Sequence, residues 1–320
     1  MKLKNVRTDV FARPATNAEL SIYFGYRHSF LSMLLTPDVY TCRSPPSDIF
    51  TKVYAIVRSR RDQKHKSEHG PVLFVFDTHA HMDTRPYEDF ELMGVAGITH
   101  VLTLAHDPMR MSASPVLFDH FHKLVEGEVR RGAENGVDVH VGLGVHPRSI
   151  NDNVDEVLRV LPEYLTHPDV VAVGEIGLDR CTEVEERVFR AQLAIDYYPK
   201  VIHTPRRGKE AAIQRIVQII EDVGAKDVVI DHVDPSTIEC ALEAGTYMGI
   251  TVQPGKASVR EATDLVKAYP EAKFVINSDM SSQRSDCLSV ARVMHALVTE
   301  GYADRAREAC MQNGHDLFLR

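Results

Sequence analysis

Phe74-Val75-Phe76-Asp77-Thr78-His79-Ala80-His81-Met82-Asp83 is an apolar, β-prone run that ends in two histidines flanked by acidic residues. A strand alternates its side chains between faces, so His79 and His81 point the same way, about 6–7 Å apart at Cα. Two imidazoles side by side at a strand end suit one divalent cation. The chain has 16 histidines, so an accidental pair is the bland alternative. The rest of the sequence has to decide between them.

From residue 72 onward, apolar runs alternate with helical patterns. Strands are expected over 72–77, 100–104, 137–145, 170–175, 200–203, 228–231, 247–252 and 273–277. Most are continuous Val/Ile/Leu runs, as in parallel strands covered on both faces. Helices are expected over 87–95, 114–135, 153–165, 183–198, 209–223, 235–243, 259–269 and 286–300, with Gly or Pro punctuating their ends. Eight strand–helix units in about 250 residues match an α/β (β/α)8 TIM barrel. A doubly wound sheet is the alternative, but no Gly-x-Gly-x-x-Gly loop follows the first strand.

Residues 1–70 read differently. They carry Pro14, Pro37 and Pro45-Pro46, then a basic polar patch from Arg58 to His69, with no clear period of 2 or 3.6. We expect a partly disordered, non-catalytic extension, followed by the barrel over 71–320. An organellar transit peptide fits less well, because Asp9 and Glu19 interrupt the basic pattern. The uncharged run 29–37 is too short to span a bilayer. Five scattered cysteines without a Cys-x-x-Cys pair fit a reducing, cytoplasmic setting better than a disulfide framework. The net charge of −8 hides an asymmetry, +6 over residues 1–70 against −14 beyond them. That balance argues against broad binding of duplex nucleic acid, which needs a basic face.

Barrel enzymes carry their functional groups at the C-terminal ends of the strands. Here those ends read His79 and His81; Gly144-Val145-His146-Pro147; Gly174-Glu175-Ile176-Gly177-Leu178-Asp179; His203-Thr204-Pro205-Arg206-Arg207; Asp231-His232; and Asn277-Ser278-Asp279. A lone histidine is more often a satisfied structural residue than a ligand, and an Asp after a serine often caps a helix. Imidazoles and carboxylates recurring at one end of at least five strands are costly to bury without partners. A shared metal, or a pair, gives every one of them a partner. His120 and His122, two apart on a helix, read as surface residues, and His106 is not read as a ligand.

This set resembles the TatD family of metal-dependent hydrolases, one of the amidohydrolase-like barrels. The resemblance covers about residues 72–318 and includes Phe189-Arg190-x-Gln192-Leu193. It implies that His79, His81 and Asp279 hold a first metal with Glu175. It also implies that Glu175, His203 and His232 hold a second, with Glu175 bridging. Two divalent ions (zinc, manganese or magnesium) about 3.5–4 Å apart suit phosphodiester hydrolysis. Asp279 is the candidate general base and Glu175 shares the catalytic role, while His146 and Arg206 are candidate substrate contacts. Lys256, Arg207 and Arg148 are weaker candidates for phosphate contacts. The chain departs from the usual family signatures at 203–207, 231–234 and 277–280, which marks a divergent branch.

The implied partner is a phosphodiester or another small hydrolysable substrate, single-stranded nucleic acid included, with no membrane. Amide or lactone hydrolysis is the alternative chemistry; barrels that bridge metals with a carboxylated lysine need Lys where this chain has Glu175. A non-catalytic metal-binding scaffold is the alternative of another class.

Overall fold

The computed structural model describes residues 74–105 and 109–320. The expectations for residues 1–70 and for His106 lie outside the described residues. Eight parallel strands follow one another in sequence order: β1 Val75–Ala80, β2 Ile98–Leu104, β3 Asp138–Leu143, β4 Val170–Gly177, β5 Lys200–His203, β6 Val228–Ile230, β7 Tyr247–Thr251 and β8 Phe274–Asn277. Between them run α1 Tyr87–Val95, α2 Ser114–His122, α3 Val129–Glu134, α4 Val154–Leu165, α5 Glu183–Leu193, α6 Lys209–Val223, α7 Ile238–Glu243 and α8 Val259–Ala268. This is the (β/α)8 barrel expected from the sequence.

The sheet closes on itself between β8 and β1. Asp279 N–H donates to His79 O at 2.9 Å and His81 N–H to Met280 O at 2.8 Å, with Ala80 paired parallel to Met280. Below this point Ser278 donates to Asp77 through its N–H (3.0 Å) and its hydroxyl (2.5 Å). Burial pushes the Asp77 carboxyl up to about 6 in spite of these donors. The seam of the barrel therefore runs through the metal-ligand candidates of both strands.

Two apolar layers hold the elements. The larger joins the strands to the helices, with Phe90, Leu117, Phe121, Leu161, Phe189, Ile213, Val266 and Val293 among its buried members. The smaller cluster comprises Phe76, Leu102, Leu104, Val171, Ala172, Val201, Val229 and Val275 from the strands. Its remaining weight comes from Leu317 and Phe318, part of or next to elements the sequence reading did not include. After α9 Ser289–Thr299 the chain continues as α10 Ala303–Arg307, a π turn Glu308–Gln312 and α11 Asn313–Phe318. Asn313 Nδ2 donates to Phe274 O at 2.8 Å, which ties α11 to β8.

Other differences are local. The helix expected over 114–135 is interrupted by a π turn, Lys123–Glu128, and the one expected to reach 198 stops at Leu193. His120 is not a surface residue: its side chain is 11% exposed and its Nδ1 lies 3.7 Å from Asp83. Spacing on a helix gives direction but not what a preceding loop folds against. His122, at 56%, is exposed as expected.

Candidate metal centre

Glu175 leaves β4 buried, and its two carboxylate oxygens face different histidines. Oε2 lies 3.5 Å from His79 Nε2, 3.8 Å from His81 Nε2 and 3.8 Å from His146 Nε2. Oε1 lies 2.8 Å from His203 Nδ1 and 3.3 Å from His232 Nε2. Asp279 closes the first group, its Oδ1 3.5 Å from His79 Nε2 and 3.4 Å from His81 Nε2. The six metal-ligand candidates thus converge, and Glu175 stands between two donor sets. Gly177, two residues on, has φ +140°, and a Cβ there would stand 2.5 Å from His203 O. Only glycine lets β4 and β5 approach this closely.

The imidazoles are aimed by the bonds on their far sides. His79 Nδ1–H donates to Asp231 Oδ2 at 2.5 Å and His81 Nδ1–H to Leu104 O at 3.2 Å. Thr251 donates to Asn277 Oδ1 at 2.8 Å, so its oxygen accepts from His232 Nδ1–H at 2.7 Å. Asn277 Nδ2 in turn donates to Asp231 Oδ1 at 2.8 Å. One relay therefore links His232 to His79 through β7, β8 and β6. In all three rings Nδ1 faces an acceptor, which turns Nε2 toward Glu175, the arrangement by which outer groups orient metal-binding histidines. His146 is the opposite: its Nδ1 accepts from Arg148 N–H at 3.0 Å, so in the neutral ring Nε2 keeps the proton.

Two of the ligand candidates stand on backbone that ordinary side chains avoid. His232 has φ +61° and Asp279 φ +43°. Such positions cost about 1–3 kcal/mol each and persist where the surroundings hold them. At Asp279 the holders are the seam bond to His79 and Gln253 Nε2, which donates to Asp279 O at 2.6 Å. The turn at His232 also lets adjacent residues reach inward together, Asp231 to His79 and His232 to Glu175.

Charge is concentrated here. Burial disfavours the His79 cation, yet Glu175 and Asp231 outweigh it and hold the ring's pKa well above the usual value. His203 is raised against its burial by Glu175. Burial favours neutral Glu175, but His79, His203 and His146 hold it well below the usual range. His232 is pushed down to about 4 by burial and by the Lys256 ammonium. Asp279 is held well below the usual range, its burial outweighed by Lys256, which forms a short ion pair with it.

The residues fit a metal. The donor set is imidazole and carboxylate, the mixture that suits zinc, manganese or iron. His203 Nε2 is buried and makes no hydrogen bond, and carboxylate–imidazole spacings of 3.4–3.8 Å exceed good hydrogen-bond lengths. Three-residue groups able to hold an ion are His79, His81 and Asp279; His146, Glu175 and His203; and His79, Asp231 and His232.

The centre lines a cavity of about 330 Å³ whose wall includes Arg148, Arg206, Lys209 and Lys256. Arg206 is on the exposed rim and Arg207 is exposed beyond it. Asp231 is the residue that sequence reasoning quoted without giving it a role. Its signal was adjacency to His232, and nothing in strand alternation would have turned both inward.

The sequence profile of the TatD related DNase family matches residues 76–310. The chain belongs to this family of metal-dependent hydrolases. An uncharacterized metal-dependent hydrolase of Methanocaldococcus jannaschii is 40% identical over 224 residues, covering 68% of this chain and 88% of the relative. The crystal structure of a TatD-like protein from Archaeoglobus fulgidus matches with a TM-score of 0.66 at 29% identity, covering 77% of this chain and 99% of that one. A D-hydantoinase shares the fold, with a TM-score of 0.52 at 12% identity over 76% of this chain and 70% of that one. Among the described residues no helix is long and apolar enough to cross a membrane.

Proposed function

We propose that this chain hydrolyses phosphodiester bonds with the help of two divalent cations. The observation that carries the reading is Glu175, with Oε2 toward His79 and His81 and Oε1 toward His203 and His232. His79, His81 and Asp279 would hold the first cation and His203 and His232 the second, with Glu175 shared. Bound there, the ions would supply Lewis-acid charge and make water acidic enough to attack at neutral pH.

The chain's own groups do the rest. Asp279 Oδ1, beside His79 and His81, accepts the proton of the attacking water as general base. His146 offers its Nε2–H to a substrate oxygen, and Arg206 meets substrate at the rim. Among the described residues the cavity lining has no Phe, Tyr or Trp, the usual platforms for stacked bases. This supports a substrate taken by its phosphate rather than by its base, a small diester or the end of a single strand.

A panel of bis-p-nitrophenyl phosphate, single-stranded DNA, p-nitrophenyl esters and lactones, each with and without chelator, tests the reading. Chelator-sensitive diester cleavage is expected. Chelator-sensitive lactone or amide turnover without diester cleavage would replace it with the alternative chemistry. Metal binding with no turnover of any of these substrates would leave only the non-catalytic metal-binding scaffold, and a protein that binds no divalent metal would overturn the site itself.

A further inference from the structure

Lys256 comes from a loop that closes on itself directly after β7. Ala257 N–H donates to Thr251 O (3.1 Å), Gln253 N–H to Ala257 O (3.2 Å) and Lys256 N–H to Gln253 O (2.9 Å). The loop is therefore anchored where Lys256 leaves it. The side chain is 12% exposed, and its ammonium is paired to Asp279 Oδ2 while lying 3.1 and 3.3 Å from the two ring nitrogens of His232.

Arg206 stands at the exposed rim, and the two other cations of the wall have carboxylates of their own. Arg148 is held by Asp179 at 2.7 and 3.0 Å. Lys209 is held by Asp234 at 2.7 Å and by His232 O at 2.7 Å. Asp179 and Asp234 belong to neither donor set, although Asp179 Oδ1 lies 3.7 Å from His203 Nε2. Asp279 differs, because the oxygen not paired to Lys256 faces His79 and His81.

We propose that Lys256 binds the anionic oxygen of the scissile group and thereby selects substrates charged at the bond to be cut. The inference rests on the hydrolase reading above and names its substrate class. If Asp279 committed its charge to a cation, the part-buried ammonium of Lys256 would share the carboxylate it is paired with among the described residues with a second positive group. Leaving a largely desolvated charge without a full partner is unfavourable. A phosphate oxygen arriving between Lys256 and the metal set restores the balance, and a neutral amide or lactone does not. Lys256 then stands beside the oxygens on which charge accumulates as the diester is cut, where a fixed cation in a water-poor site acts most strongly.

The test uses the manganese-loaded protein and the variants K256M and K256R, with inorganic phosphate as the probe. Titration calorimetry should show phosphate binding weakened at least about tenfold in K256M and less in K256R, with manganese stoichiometry retained in both. The ratio of kcat/KM for bis-p-nitrophenyl phosphate to that for p-nitrophenyl acetate should fall about 100-fold in K256M. Phosphate that binds K256M as tightly as the wild type, or no phosphate binding by the wild type, overturns the proposal. So does loss of manganese from K256M, which would make Lys256 a support of the centre. Because phosphate binding is read without turnover, a wild type that binds phosphate through Lys256 yet cleaves no diester would refute the function and leave this inference standing.

Discussion

Asp231, just past the end of β6, accepts a 2.5 Å hydrogen bond from Nδ1 of His79 in β1, 152 positions away in sequence. The same carboxylate accepts from Asn277 Nδ2 at 2.8 Å and from His232 N–H at 2.9 Å. All three partners are donors. Asp231→Asn puts an amide N–H where an acceptor is required, so the His79 ring loses its aim. Metal affinity should fall about 10–100-fold, read by equilibrium dialysis against manganese. Unchanged affinity would show that His79 is oriented by other means.

Thr251 is the link between His232 and Asn277. Thr251→Val keeps the shape but removes both bonds. The expected result is a selective weakening of the second metal equivalent by about tenfold or more, with the first retained. Equal loss of both equivalents would contradict the division into two donor sets.

Gly249, in β7, faces Asp231 so closely that a Cβ would stand 1.8 Å from Asp231 Oδ1. Gly249→Ala must push the carboxylate away from His79. A loss of about 1–3 kcal/mol in stability is expected, together with weaker metal binding, measured by urea denaturation and dialysis on the same sample. A destabilised variant with wild-type metal affinity would mean that the carboxylate relaxes without moving His79.

Metal affinity should depend on pH in a defined direction. His79 and His203 titrate above the usual histidine value, so a cation must displace their protons. Each cation displaces one such proton, so each affinity should rise with pH by up to about tenfold per unit while its histidine is protonated. His232, at about 4, is neutral near pH 7 and contributes no proton there. The cation-free fold has the opposite dependence. Its raised histidines stabilise it fully below about pH 6.5, and that contribution is lost as pH rises through their folded values. Its depressed Glu175 stabilises it above about pH 4.5 and is lost on acidification. Calorimetry in buffers of different ionisation enthalpy counts the protons released; pH-independent affinity would contradict the assignment.

Phe318 is 5% exposed and packs with Phe76 in the smaller cluster, ring centroids 6.1 Å apart. Phe318→Ala should cost about 3–5 kcal/mol, seen as a lower denaturation midpoint. A loss below about 1 kcal/mol would mean that the cluster does not depend on the chain's last helix.

The alternation of apolar runs and helices was enough to name eight strands and the barrel, because most of the parallel strands are buried on both faces and most of the helices are followed by Gly or Pro. Imidazoles and carboxylates recurring at one end of many strands marked that end in the sequence, while the six proposed metal ligands were what the family resemblance implies. The sequence missed the packing of 303–318, whose apolar residues have meaning only against Phe76 and its neighbours. It misjudged His120 for a similar reason, because Asp83 reaches that ring from the loop after β1.

What the sequence by itself determined, then, is which residue types stand at the strand ends, a matter of local period. Which oxygen of Glu175 faces which histidines, which ring nitrogen carries each proton, and why Asp231 matters were decided only by the tertiary structure. Those depend on contacts between β1, β4, β6, β7 and β8 and on left-handed backbone at His232 and Asp279. Strand alternation alone would send Asp231 and His232 to opposite faces; the closed barrel holds the strained turn that brings both to the same centre.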